Sequence, residues 1–171
     1  METHLRCIRI IDTITEWGGK AVAWLVIPLI GGLVYEVFAR YFFHAPTVWA
    51  YDVTYMIYGT LYMLGAAYTL LKGGHIRTDI LYRMFSVRWQ GIVDASLYLL
   101  FYFPGIFLFF LAGWEYAAQS WEMQERTAVS PWRAYIFPFK TVIPVTLFLL
   151  LLQGISELLK SVHAAVKGEW P

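Results

Sequence analysis

Long uncharged runs, separated by short polar segments, make up most of the chain. The clearest run has 19 residues, from Val53 to Leu71, without Lys, Arg, Asp or Glu. A helix needs about 20 mainly apolar residues to cross a bilayer, so each long run predicts a membrane-spanning helix. Four spans are predicted, covering about residues 21–43, 49–71, 92–114 and 135–159. The pattern therefore predicts an all-α membrane protein in which residues 1–171 form a single membrane domain.

Two shorter segments also show helical periodicity. In residues 1–20, apolar residues recur at helical spacing, which predicts a short surface helix that leads into the membrane. Between the second and third spans, an apolar stripe runs along residues 76–86, with charged residues beside it. This stripe is too short to cross a bilayer. We therefore predict a short amphipathic helix that lies flat at the membrane interface between spans two and three.

The basic residues favour one orientation in the membrane. With a cytoplasmic N-terminus, the inner segments hold nine of the 13 Lys and Arg residues and the outer segments hold four. The inner nine are Arg6, Arg9, Lys20, Lys72, Arg77, Arg83, Arg88, Lys160 and Lys167, and the outer four are Arg40, Arg126, Arg133 and Lys140. Cytoplasmic segments of membrane proteins are enriched in Lys and Arg, so both termini are predicted to be cytoplasmic.

Composition supports the membrane prediction. Hydrophobic residues make up 59% of the chain and charged residues only 15%, against about 25% charged residues in soluble domains. Aromatic residues reach 19%, and Trp and Tyr favour the membrane interface. A net charge of +1 offers no basic field for nucleic acid. The single cysteine, Cys7, excludes an intramolecular disulfide and any cysteine-based metal site within the chain.

Candidate chemistry is sparse. The four histidines lie at span ends or in the tails, whereas a haem in a helix bundle needs histidines that face each other at depth. The middles of spans two, three and four carry no charge, which disfavours a complete transport pathway. The sequence has no nucleophile–base set, phosphate-binding glycine loop or metal signature. We expect a protein that is not an enzyme, and two alternatives stay open: a self-contained small transporter and the membrane anchor subunit of a redox complex.

A small charge set lies where the first two spans meet. Glu36 and Arg40 are four residues apart, so they share a helix face and are predicted to pair. The short turn after span one makes spans one and two antiparallel neighbours, which predicts a second pair between Arg40 and Asp52. Trp49 precedes Asp52 as an interfacial aromatic residue. In span two, Gly65 allows another helix to approach, either within this chain or from a partner.

These residues, with those that follow span two, resemble a known family. The order is Arg40, Pro46, Trp49 and Asp52, then an apolar span, then Gly74-His75-Ile76-x-x-Asp79. This pattern is similar to the small membrane subunit of the tripartite ATP-independent periplasmic (TRAP) transporters of bacteria. In that resemblance, Gly74, His75 and Asp79 form the inner turn that lays the interfacial helix on the membrane.

The resemblance implies a division of labour among three subunits. The small subunit is a scaffold in the bacterial inner membrane and holds a large membrane subunit in the bilayer. The large subunit carries the substrate and sodium sites, and a periplasmic binding protein delivers the solute, which is expected to be an organic acid or a related compound. No cofactor or metal is expected in the small subunit itself.

Overall fold

The computed structural model describes residues 2–74, 82 and 84–171, and within these ranges every extended regular element is a helix. A π-helical segment, Tyr98–Tyr102, joins two α-helices, so residues 87–122 form one long helical stretch. Within the described residues, the named α-helices are α1 (Glu2–Ala23), α2 (Val26–Tyr41), α3 (Ala50–Leu71), α4 (Val87–Leu97), α5 (Phe103–Glu122) and α6 (Phe137–Lys167).

Three helical stretches in the described residues are long and apolar enough to cross a membrane: His4–Tyr41, Val87–Glu122 and Phe137–Lys167. α3, which corresponds to the second predicted span, is not among them. Its 22 residues include five tyrosines and three threonines, which lower the mean hydropathy of the helix. The prediction of an all-α protein is confirmed, and the number of spans stays a prediction.

The N-terminal helix expected from the sequence is present, and it also packs against other helices, which was not predicted. α1 has 22 residues and packs against α3 and α6, with Ile8 and Thr15 buried. It meets α2 at a turn, and Pro28 explains the break because it has no N–H to donate to the carbonyl of Trp24. The predicted interfacial helix falls mainly on residues 75–81 and 83, which lie outside the described residues.

α6 is the central element, since α1, α3, α4 and α5 all pack against it. Small side chains on α6 and its neighbours permit this packing. A Cβ on Gly91 of α4 would lie 2.5 Å from the carbonyl oxygen of Ser161 in α6. A Cβ on Gly154 of α6 would lie 2.4 Å from the ring of Tyr102, whose hydroxyl donates to the Leu150 carbonyl at 2.8 Å. These contacts hold the π-helical segment against α6.

Candidate functional site

Glu36 connects the end of α2 to the turn that leads into α3. Its Oε1 accepts from Arg40, at 2.6 Å from Nη2 and 3.0 Å from Nε. Its Oε2 accepts from the backbone N–H of Thr47 at 3.1 Å and from the Thr47 hydroxyl. The predicted Glu36–Arg40 pair is confirmed. Because the same carboxylate also binds Thr47, this pair fixes the entry into α3 as well as the end of α2.

The predicted pair between Arg40 and Asp52 is wrong. Asp52 is 2% exposed and accepts a hydrogen bond from the hydroxyl of Ser130, in the loop between α5 and α6. The Arg40 side chain is 55% exposed and is held by Glu36. The short turn places α2 beside α3, but Asp52 lies on the α3 face that packs under the α5–α6 loop. Asp52 therefore joins α3 to that loop and not to α2.

Charged and polar residues also close the α5–α6 loop on itself. Lys140 Nζ donates to Glu125 Oε2 at 2.5 Å, and the Ser120 hydroxyl donates to the same oxygen at 2.7 Å. The Lys140 ammonium lies 3.9 Å from the ring centroid of Tyr116. These hydrogen bonds, that from Lys140 first, hold the pKa of Glu125 below its ordinary value of 4.5. We call Tyr116, Ser120, Glu125 and Lys140 the Lys140 network.

A second network joins α1 to the far end of α6. Lys160 Nζ lies 2.8 Å from Asp12 Oδ2 and 2.8 Å from Glu157 Oε1. Asp12 Oδ1 accepts from the Ser156 hydroxyl at 2.6 Å and from Gln153 Nε2 at 3.0 Å. Gln153 and Ser156 are fully buried. We call these five residues the Lys160 network.

Sequence reasoning missed the Lys160 network, although one signal for it was present. Gln153, Ser156, Glu157 and Lys160 recur at spacings of three and four residues, so they share one face of α6. Such a polar face on an otherwise apolar helix predicts a polar partner. Nothing in the sequence identifies Asp12 as that partner.

The structure also brings together His4 and His163, which the sequence places in separate tails. His4 Nε2 lies 3.3 Å from His163 Nδ1, and the ring centroids are 5.6 Å apart. Among the described residues, no group of three or more His, Cys, Asp or Glu side chains is arranged to hold a metal ion. The histidine pair therefore adds a contact between α1 and α6 beside the Lys160 network.

The remaining candidates lie along or beside α3. Trp49 immediately precedes α3, and its ring stacks on Tyr35 of α2 with centroids 5.7 Å apart. Among the described residues, nothing would lie within 4 Å of a Cβ on Gly65, so Gly65 leaves open space beside α3. The Gly74 N–H donates to the Thr69 carbonyl at 2.9 Å. Its neighbour Gly73, with φ +64°, takes the left-handed conformation that ends the helix, a role that sequence reasoning did not assign.

The other two candidates at this turn, His75 and Asp79, lie outside the described residues. Their predicted role in laying a helix on the membrane therefore stays a prediction.

Comparison with known proteins bears on most of the chain. The family model described as "Tripartite ATP-independent periplasmic transporters, DctQ component" matches residues 29–164. The sialic acid TRAP transporter permease protein SiaT of Haemophilus influenzae (strain 86-028NP) is 26% identical over 102 residues. That alignment covers 60% of this chain and 16% of SiaT, so the chain spans only a small part of this relative's length. No solved structure matches the chain.

Proposed function

Because the chain belongs to the DctQ-component family of TRAP transporters, we propose that it is the scaffold subunit that holds the large membrane subunit of a sodium-coupled solute importer. The family is a transporter component and not an enzyme. The observation that supports the scaffold role is that the paired charges of α6 lie near its two ends and not in its middle. The Lys140 and Lys160 networks tie neighbouring elements to opposite ends of α6, and the 16 residues of α6 from Thr141 to Ser156 carry no charge.

We further propose four spans with both termini in the cytoplasm. The spans are the α1–α2 stretch, α3, the α4–α5 stretch and α6. Two observations support this arrangement: the three apolar helical stretches and the excess of Lys and Arg in the segments assigned to the inside. In this arrangement the Lys140 network lies on the periplasmic side and the Lys160 network on the cytoplasmic side.

The proposed solute is an organic acid anion. The curated relative is named for sialic acid, which is an acid, and the alignment with it is confined to a small part of its length. We assign substrate and sodium binding to the large subunit and solute delivery to a periplasmic binding protein. No cofactor is assigned to the present chain.

Reconstitution tests this proposal directly. The tagged chain is co-expressed with the large membrane subunit from the same genome, and the purified complex is placed in liposomes with the binding protein. We expect the two membrane subunits to purify together and solute uptake to require all three proteins and an inward sodium gradient. Uptake by the present chain alone would replace the proposal with a self-contained transporter. A haem absorption band in the purified chain would replace it with a redox anchor.

A further inference from the structure

The outward face of α3 differs in chemistry from the outward faces of the other long helices. All the exposed residues of α3 carry a hydroxyl group: Tyr51, Tyr55, Tyr58, Tyr62 and Thr69. At 100° per residue, they fall within a sector about 60° wide. The exposed residues of α5 between Phe107 and Leu111, by contrast, are Phe107, Leu108, Phe109 and Leu111. This part of α5 thus presents hydrocarbon to its surroundings, and α3 presents a row of hydroxyl groups.

A row of phenols suits a membrane interface but not the bilayer interior. Tyr58 and Tyr62 lie roughly 12–18 Å along α3 from its first residue, near the middle of the helix. A hydroxyl facing lipid tails loses its hydrogen bonds to water and gains none. Tyr58 and Tyr62 contact each other, with ring centroids 4.5 Å apart. Within the described part of the chain, however, no hydrogen bond joins the four phenol hydroxyls to another helix. Lipid tails are therefore a poor neighbour for this face.

Gly65 extends the same face and leaves room for a close neighbour. It lies three residues after Tyr62, and a Cβ on it would meet nothing within 4 Å in the part of the chain that the structure describes. Gly59 is different, since a Cβ there would lie 2.6 Å from the ring of Phe139 in α6. Small residues on an exposed helix face let the backbone of another helix approach. Gly59 thus serves packing within this chain, and Gly65 leaves open space among the described residues for another helix.

We propose that this tyrosine face, defined as Tyr51, Tyr55, Tyr58, Tyr62, Gly65 and Thr69, is the surface on which the large membrane subunit docks. The docking element is a transmembrane helix that offers hydrogen-bond acceptors to the phenols and passes close to Gly65. The face and the docking helix are complementary in hydrogen bonding, because the phenol hydroxyls are donors and lipid tails offer them no acceptor. This inference rests on the proposed function, because it takes α3 as a span and the large subunit as the partner.

Photocrosslinking in the assembled complex tests the location of the interface. The photoreactive residue p-benzoylphenylalanine replaces Tyr58 or Tyr62, and in matched controls it replaces Leu108 or Phe109 on the apolar face of α5. We expect the two tyrosine positions to crosslink the large subunit and the two α5 positions to crosslink none. Crosslinks to the large subunit from α5 alone, or from the tyrosine positions only to lipid or to a second copy of this chain, would overturn the inference.

Substitution tests the chemistry of the face. Gly65→Leu is compared with Gly105→Leu, because a Cβ at either glycine meets no described residue within 4 Å. We expect Gly65→Leu to lower the amount of co-purified large subunit at least about tenfold and Gly105→Leu to leave it unchanged. Tyr58→Phe and Tyr62→Phe each remove one hydroxyl group. Each substitution should lower the amount of co-purified large subunit about threefold, as expected for the loss of one interhelical hydrogen bond.

The two proposals fail in distinguishable ways. If the wild-type chain captures no large subunit, both the scaffold function and the docking face are wrong. If the wild-type chain captures the large subunit and Gly65→Leu captures it equally well, only the docking face is wrong. The thermal stability of each purified variant is measured without the partner, so that a folding defect is not mistaken for lost docking.

Discussion

Gly91→Ala offers the sharpest test of how the helices pack around α6. A Cβ at this position would lie 2.5 Å from both the Ser161 carbonyl oxygen and the Ala165 amide nitrogen. Both atoms belong to the backbone of α6, so no side-chain rotation relieves the overlap. Gly105→Ala is the matched control, because it lies in the same long helical stretch with nothing within 4 Å of its Cβ.

The expected magnitude follows from two opposing effects. Replacing glycine by alanine inside a helix stabilises it by up to about 1 kcal/mol, and this gain applies at both positions. Overpacking at Gly91 costs about 1–3 kcal/mol, because α4 must move away from α6 and lose contacts along the interface. The free energy of unfolding of the Gly91 variant should therefore lie about 1–3 kcal/mol below that of the Gly105 variant.

Thermal unfolding in detergent, followed by tryptophan fluorescence, measures this difference. For a chain of this size, 1 kcal/mol corresponds to about 2–4 °C in Tm, so the two variants should differ by roughly 2–12 °C. The Gly105→Ala protein should melt at or slightly above the wild-type temperature. If the two variants melt within about 1 °C of each other, the close approach of α4 to α6 is wrong.

Three further predictions concern the polar contacts. Lys160→Met should lower the free energy of unfolding by about 1–3 kcal/mol, which is less than for a fully buried ion pair because the Lys160 and Asp12 side chains are partly exposed. In a double-mutant cycle, Asp12→Asn should lower the free energy of unfolding less in the Lys160→Met protein than in the wild type. Glu125 has a lowered pKa, so the stability it contributes is present above pH 4.5 and is lost as the pH falls through its folded-state value. A scan of Tm between pH 7 and pH 3.5 should therefore show a steeper fall for the wild type than for Glu125→Gln. Ser130→Ala removes the hydroxyl donor from buried Asp52 and should lower the free energy of unfolding by about 1–3 kcal/mol. Proteolysis of the α5–α6 loop should also be faster in this variant. A loop that is equally protected in the wild type and the variant would contradict the Ser130–Asp52 contact.

The sequence predicted the contacts that depend on local spacing. The Glu36–Arg40 pair follows from four residues of separation on one helix, and the helices themselves follow from hydrophobic runs. Long-range partners were not accessible in this way. Ser130 is 78 residues from Asp52, and Lys160 is 148 residues from Asp12. A short turn shows which helices are neighbours, but the rotation of each helix decides which of its side chains meet, and that rotation depends on packing throughout the bundle.

The spacing of the charged residues links the two networks to the dimensions of a bilayer. Lys140 and Lys160 are 20 residues apart on α6, which at 1.5 Å per residue is roughly 30 Å. Asp52 and Lys72 have the same separation along α3. The hydrocarbon core of a bilayer is also about 30 Å thick, so the proposed four-span arrangement places the charges of both helices at its two boundaries. This agreement supports α3 as a span despite its tyrosines. In the same proposed arrangement, Tyr58 and Tyr62 lie inside the hydrocarbon layer, where lipid offers their hydroxyls no hydrogen-bond acceptor.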